Sequence, residues 1–202
     1  TEILPYVPHS NIYDKPGLNI VEKTALPELE RILEKSEVLG KELSFVNEVY
    51  IGESIPGGTT TAMAILNSLG YDSIVSSASP NNPVELKRKI VSMAFQREKP
   101  RDDWYHNLKE YGDPMMAFVV GFSQGFNGKI YLAGGTQMLA VAALLKESGI
   151  KPEKILTTKY IVNDESSTFV KTAREIGIEF YSANLDFSNS RFRGLRDYEN
   201  GY

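Results

Sequence analysis

A chain of 202 residues, 42% hydrophobic and 24% charged, falls in the range of one globular domain able to bury a core and form a pocket. A formal charge of -4 and a pI near 5.3 argue against a broad nucleic-acid surface, which needs a basic excess to displace phosphate counterions. Cysteine is absent, no apolar run approaches the roughly 20 residues that span a bilayer, and no basic-then-apolar leader opens the chain. These features predict a cytoplasmic protein with no disulfide, no thiolate metal site, and neither nucleic-acid nor membrane partners. The start at Thr1 rather than Met is what a fragment or a processed product would show.

Residues 1–24 carry Pro5, Pro8, Pro16 and Gly17 with little periodicity, which predicts an extended arm or connector; residues 25–202 read as a single α/β domain. Leu26, Leu29, Ile32 and Leu33 recur at helical spacing, giving an amphipathic helix from about Pro27 to Leu39 with Gly40 as its stop. Phe45 to Ile51 has β character and runs into the loop Gly52 to Thr61, after which Ala62, Ile65, Leu66 and Leu69 mark a helix ended by Gly70. A short strand at Ser73 to Val75 follows, then a helix from Pro83 to about Arg97 with Leu86, Ile90, Met93 and Ala94 facing inward. Asp102 is placed to cap the next helix, and Asp113-Pro114 reads as the cap and first turn of another. Lys129 to Ala133 forms a strand entering Gly134-Gly135-Thr136, and the helix from Gln137 to Glu147 is apolar on nearly every face, hence central. Lys154 to Val162 and Ile178 to Ser182 supply later strands, separated by a helix bearing Phe169, Val170, Ala173 and Ile176. The alternation implies a mostly parallel sheet with helices on both faces, Rossmann-like, with ligands beyond the carboxyl ends of the strands. Both glycine loops occupy that position and should face one crevice.

The segment Gly57-Gly58-Thr59-Thr60 lets backbone approach a ligand closely, and the helix start after it offers free N–H groups to an anion. It lacks the lysine of a P-loop and the spacing of a dinucleotide fingerprint. A plain turn, with glycine for geometry and threonine as cap, explains the composition as well. Glu53 would repel a phosphate but suits ribose hydroxyls as an acceptor. Lys89, within Glu85 to Val91, belongs to a charge cluster of the kind that ordinarily forms a solvated face. Gly134-Gly135-Thr136-Gln137 repeats the logic of the first loop. His9 and His106 lie in no metal-ligand spacing, so no metal is expected, and Trp104, Tyr105, Tyr111 and Phe118 suit core packing or stacking on a base.

Taken in order, Gly52-Glu53-x-x-x-Gly57-x-Thr59-Thr60-Thr61-Ala62, then Leu86-x-Arg88-Lys89-Ile90-Val91, then Gly112-Asp113-Pro114, then Gly134-Gly135 opening an alanine-rich helix resemble the nicotinate-nucleotide:dimethylbenzimidazole phosphoribosyltransferase family of cobalamin biosynthesis. The wording Gly52-Glu53-Ser54-Ile55-Pro56-Gly57-Gly58 is similar to a divergent archaeal branch of it. The resemblance implies a glycosyltransferase that moves the ribosyl phosphate of nicotinate mononucleotide to a benzimidazole-like base, giving an α-ribosyl nucleotide, with no cofactor and with paired active sites in a homodimer. It assigns the ribose phosphate to Glu53 with Gly57, Gly58, Thr59 and Thr60, its cationic partner to Lys89, and the same pocket to Asp113, Gly134, Gly135 and Thr136. The family's catalytic base lies in a Gly-Glu-Gly-x-Gly-like segment near the C-terminus, where this chain reads Arg196 to Tyr202. The base then lies in a further tail, the favoured expectation, or at Glu199. A nucleotide sensor without catalysis and a structural α/β domain are the alternatives.

Overall fold

The computed structural model describes residues 10–55, 57–77 and 81–200, so Tyr6 and His9 lie outside the described residues. The chain enters helix α1 (Leu29–Glu42), strand β1 (Glu48–Gly52) and helix α2 (Gly58–Ser68), then helices α3 (Val84–Arg97), α4 (Trp104–Tyr111) and α5 (Pro114–Gly125). Strand β2 (Lys129–Ala133), helix α6 (Thr136–Glu147), strand β3 (Lys154–Thr158), the short α7 (Lys159–Val162), α8 (Phe169–Ile176), strand β4 (Phe180–Ala183) and α9 (Arg193–Glu199) complete it. All the ladders are parallel and the sheet runs in the order β1-β2-β3-β4, which is the α/β class that the alternation predicts.

The core forms around α6. Met138 through Leu145 are buried without a break, because the helix rests on the sheet while α2, α5 and α8 pack around it. Ile130, Leu132, Ile155 and Thr157 on the sheet are buried, whereas Tyr131, Ala133 and Leu156, the residues between them, are only half-buried. Crossovers of the usual right hand put every connecting helix on one face when strand order advances steadily from β1 to β4. Among the described residues α2, α5 and α8 therefore gather with α6 on one face of the sheet, and α1 packs on α5.

Several expectations shift, each for a visible reason. Gly40 does not stop α1; it lies inside the helix, where a Cβ would sit 2.2 Å from the Phe122 carbonyl oxygen of α5. Strand β1 starts at Glu48, and Phe45 is 79% exposed. Ser73 to Val75 joins no ladder: the Ile74 amide donates to the Thr168 hydroxyl at 2.9 Å, and its carbonyl accepts from the Thr168 amide at 2.9 Å. On α3 the buried residues are Lys87, Val91 and Ala94, while Leu86 and Met93 face out, 57% and 41% exposed. Asp103 rather than Asp102 caps α4, accepting from the Tyr105 amide at 3.0 Å. The chain leaves β3 at Thr158, and Lys159 to Val162 turn into α7. Ile20, assigned to the arm, is buried; its carbonyl accepts from Arg97 Nε at 2.9 Å, and Arg97 also pairs with Glu110 at 2.9 Å. No helix among the described residues is long and apolar enough to cross a membrane.

The pair α1 and α5 sets the tightest tolerance in the fold. A Cβ on Gly121 would lie 2.5 Å from the Leu33 carbonyl oxygen, and one on Gly125 2.0 Å from that of Glu37. The atoms met are backbone and cannot swing aside, so Gly125→Val should cost at least the about 1–3 kcal/mol typical of overpacking. In thermal melts the midpoint is expected to fall by about 6–12 °C for a 3 kcal/mol loss; an unchanged midpoint would contradict the close approach of the two helices.

Candidate functional site

Gly52 and Ala133 are register partners at the ends of adjacent parallel strands, so the two glycine loops leave the sheet side by side. The first runs through Glu53 to Gly57, whose φ of 76° lies in the left-handed region that glycine alone enters freely, and α2 begins at Gly58. A Cβ at Gly58 would sit 2.5 Å from Gln137 Nε2 and 2.6 Å from Ile55 Cγ2, so a side chain here would push the Gln137 amide from its place beside Glu53. Gln137 Nε2 also donates to Glu53 Oε2 at 3.3 Å, and the Ile55 amide donates to the same oxygen at 3.2 Å. Oε1 of Glu53 has no hydrogen bond among the described residues. The structure thus brings together Glu53, Gly57, Gly58, Gly134, Gly135 and Thr136, with Thr59 and Thr60 half-buried in the first turn of α2.

Asp113 stands behind the first loop. It caps α5 by accepting from the Met116 amide at 3.0 Å, and its Oδ2 lies 2.7 Å from the Thr61 hydroxyl. That hydroxyl also lies 2.9 Å from the Gly58 carbonyl oxygen, and its single proton serves only one acceptor. Burial pushes the Asp113 carboxyl above its ordinary range, and the charge of Glu53 adds to the rise. The Thr61 hydroxyl therefore donates to Asp113 Oδ2 or to the Gly58 carbonyl oxygen, and either contact fastens the first loop.

A buried cation that the sequence does not single out is tied to this network. Lys87 is 3% exposed; its ammonium donates to the Ser76 carbonyl at 2.8 Å, to Asn82 Oδ1 at 2.8 Å and to the Val75 carbonyl at 3.4 Å. Ser76 Oγ in turn lies 3.1 Å from Thr136 Oγ1 at the start of α6, which ties the lysine to the second glycine loop. No carboxylate pairs with Lys87 among the described residues, and burial lowers its pKa from 10.5, with distant Asp164 acting the other way. Lys89 lies on the exposed side of the same helix. The signal that would have found Lys87 is its spacing from Val91 and Ala94, which continues the buried face of α3 by one turn.

Glu199 is fully engaged. Lys159 donates to its Oε1 at 2.6 Å, while the Tyr160 hydroxyl and the Phe187 amide, the latter at 3.1 Å, donate to Oε2. Lys159 and these other donors hold the carboxyl below its ordinary range. A general base needs a free oxygen and a pKa near the working pH; this geometry describes a tether holding α9 against α7. The tether borders the site, since a Cβ on Gly135 would meet Ile161 of α7 at 3.1 Å. Of the remaining candidates, Tyr111 is wholly buried with its hydroxyl on the Glu98 carbonyl at 2.5 Å, and His106 Nε2 sits 3.4 Å from Glu98.

No family model matches the chain. Among solved structures, a nicotinate-nucleotide-dimethylbenzimidazole phosphoribosyltransferase from Thermus thermophilus matches with a TM-score of 0.59 and 16% identity, covering 92% of this chain and 59% of that one. CobT from the same organism matches with a TM-score of 0.61, again at 16% identity, over 92% of this chain and 57% of that one. At such identity the likeness establishes a shared fold.

The cap on α5 and the Thr61 contact give two substitutions at Asp113 different outcomes. Asp113→Asn keeps a capping oxygen and supplies a donor toward Thr61, so its stability is expected within about 1 kcal/mol of the parent, whereas Asp113→Ala loses the cap and strands buried groups at a cost of about 1–3 kcal/mol. Equal losses for both in denaturant titrations would rule out the capping role of the Asp113 oxygen.

UPF0284 proteins are close relatives: those of Pyrococcus abyssi and Pyrococcus furiosus are 52% and 53% identical to the chain, over 215 and 211 aligned residues. These alignments take in 100% of this chain but 63% and 64% of the two relatives, so it spans just under two thirds of their length.

Proposed function

We infer that the two glycine loops hold the ribosyl 5′-phosphate of nicotinate mononucleotide, and that the whole polypeptide is a phosphoribosyltransferase that passes this group to a benzimidazole-like base. The observation that carries it is Lys87, a buried ammonium matched among the described residues by neutral oxygens and tied through Ser76 to the start of α6. A phosphate dianion completes such a charge, and helix starts after glycine loops are suited to anions. The fold shared with the Thermus phosphoribosyltransferase structures supports the same reaction class.

In that reaction the ribosyl C1′–N bond to the pyridinium breaks and its electron pair returns to the nitrogen, releasing neutral-ring nicotinate without a general acid. The incoming base bonds C1′ through its unprotonated ring nitrogen and loses the proton from its other nitrogen to a carboxylate. Glu53, with Oε1 free among the described residues, serves as acceptor for ribose hydroxyls. Thr59, Thr60, Gly134, Gly135 and Thr136 line the phosphate end, Asp113 orders the loop through Thr61, and Lys87 rather than Lys89 provides the inward cation. The carboxylate that takes the base's proton is assigned to the part of the polypeptide outside these 202 residues. A homodimer with paired sites belongs to the same proposal, and solution mass tests it.

A binding protein without catalysis is the second reading, favoured by one observation: both oxygens of Glu199 are already occupied. Incubating the intact polypeptide with nicotinate mononucleotide and a panel of benzimidazoles should release nicotinate; tight binding with no release from any base would select the sensor.

Calorimetric titration of nicotinate mononucleotide into the intact polypeptide tests the cation. Lys87→Met should weaken binding by about 10–150-fold, the equivalent of losing one charge-assisted contact of about 1.5–3 kcal/mol, with Lys89→Ala within about twofold of the parent. A melting curve on each variant guards against misfolding. Because burial depresses Lys87 and a bound phosphate favours its charged form, affinity should fall as pH rises through the depressed value, below the 10.5 of an ordinary lysine. Equal losses for the two lysines, or no binding by the parent, would overturn the assignment.

A further inference from the structure

The face of the sheet away from α6 is apolar, aromatic and open. Strand register puts Tyr50, Tyr131 and Ala133 on this face with Leu156 and Tyr181. Tyr50 and Tyr131 stack at 4.9 Å with their planes 11° apart, yet Tyr50 is 59% exposed and Tyr181 60%. Charge gathers only toward the amino ends of the strands, where Lys154 sits 4.3 Å over the Tyr181 ring and 2.8 Å from Glu179. The pattern is that of an interface with an apolar centre and a polar rim.

Parallel sheets occur almost only with both faces covered, since each crossover needs a helix against the sheet. Here the strands advance β1-β2-β3-β4 without reversal, so right-handed crossovers leave one face bare. A reversal needs a strand added beyond β1, whose outer edge pairs with nothing among the described residues. The relatives hold the polypeptide to supply it: this chain spans 63% and 64% of the two Pyrococcus proteins, and 59% and 57% of the two Thermus structures of the same fold.

We propose that the Tyr50, Tyr131 and Leu156 face is the docking surface for helices from the same polypeptide, contributed by a segment outside these 202 residues, which also adds strand pairing at the β1 edge. The strand order then reverses at β1, and the loop from Glu53 to Gly58 stands at the switch point, where open α/β sheets form their ligand crevice. The added segment supplies the crevice wall opposite Gly134 and Gly135. This assignment stands on topology and exposure, independently of the transferase reading.

Site-specific photo-crosslinking in the full-length gene product tests it. p-Benzoylphenylalanine replaces Tyr50 or Tyr181, conservative changes at surface rings, and irradiation is followed by peptide mass spectrometry. The expected product is an intramolecular cross-link from each position to a peptide outside the 202 residues, at single-chain mass on a denaturing gel. Tyr50 and Tyr181 should also nitrate with tetranitromethane as slowly as wholly buried Tyr111. Cross-links that double the mass would assign the face to a second copy and overturn the proposal. Cross-links confined within the 202 residues, or none, with fast nitration of both tyrosines, would overturn it as well.

Discussion

The pairing of Gly52 with Ala133 ends two neighbouring parallel strands at one level, so the chain leaves the sheet twice within a single strand spacing of about 4.8 Å. Everything at the carboxyl edge follows from that proximity. Each exit passes through glycine into a helix start, and the two starts aim their N–H groups toward the same side of the sheet. The loops are then fastened to each other: Gln137 of one donates to Glu53 of the other, and its amide lies over Gly58 at the start of α2. Asp113 fixes the first loop from behind through Thr61, and Ser76 fixes the second through Thr136. The site is therefore held by four elements that are distant in sequence, and a ligand meets backbone that is already positioned.

Lys87 imposes the second constraint. An ammonium removed from water is costly unless its charge is matched, and three neutral oxygens match it only in part. If packing alone governed α3, the helix would turn Leu86 and Met93 inward; instead both are solvated, and the turn holding Lys87, Val91 and Ala94 is buried. Exposed apolar surface on one side and a buried charge on the other are both unfavourable for an isolated domain. Such a local conflict with packing rules is expected where a site demands it. On the transferase reading, the phosphate supplies the missing negative charge.

Much of this was legible in the chain. The alternation of glycine-punctuated strands and helices gave a parallel α/β sheet, and Asp113-Pro114 announced a cap that the structure forms as expected. The unbroken apolar stretch after Thr136 placed α6 at the centre. What periodicity missed was decided by tertiary contacts. On α3 two sets of positions offset by one residue compete, Leu86, Ile90 and Met93 against Lys87, Val91 and Ala94, and the oxygens of Val75, Ser76 and Asn82, brought in from a segment without regular structure, select the face that includes a lysine. Gly40 looked like a helix stop because glycine often is one, but here it admits a second helix backbone. Ser73 to Val75 had strand composition, yet Thr168 takes up the amide and carbonyl of Ile74 that a ladder would need.

On the transferase reading, phosphate anchoring and chemistry divide between different parts of the polypeptide. Contacts to the 5′-phosphate are present in the bound nucleotide and in the transition state alike, so they raise affinity and fix orientation without by themselves lowering the chemical barrier. The barrier falls through placing the acceptor base in line with the breaking C1′–N bond and through removal of its proton as the new bond forms. Near the glycine loops, Asp113 is buried against Thr61 and Met116, and Glu199 is saturated by Lys159, Tyr160 and Phe187. Glu53 keeps one oxygen available among the described residues, and on the same reading it stands at the phosphate loop, where it suits ribose hydroxyls. A proton acceptor for the base has to approach from the side of the crevice that these residues do not build. On the proposed topology, the segment that covers the bare tyrosine face and pairs at the β1 edge also reaches that side, so one missing wall would serve both the sheet and the transferase reading.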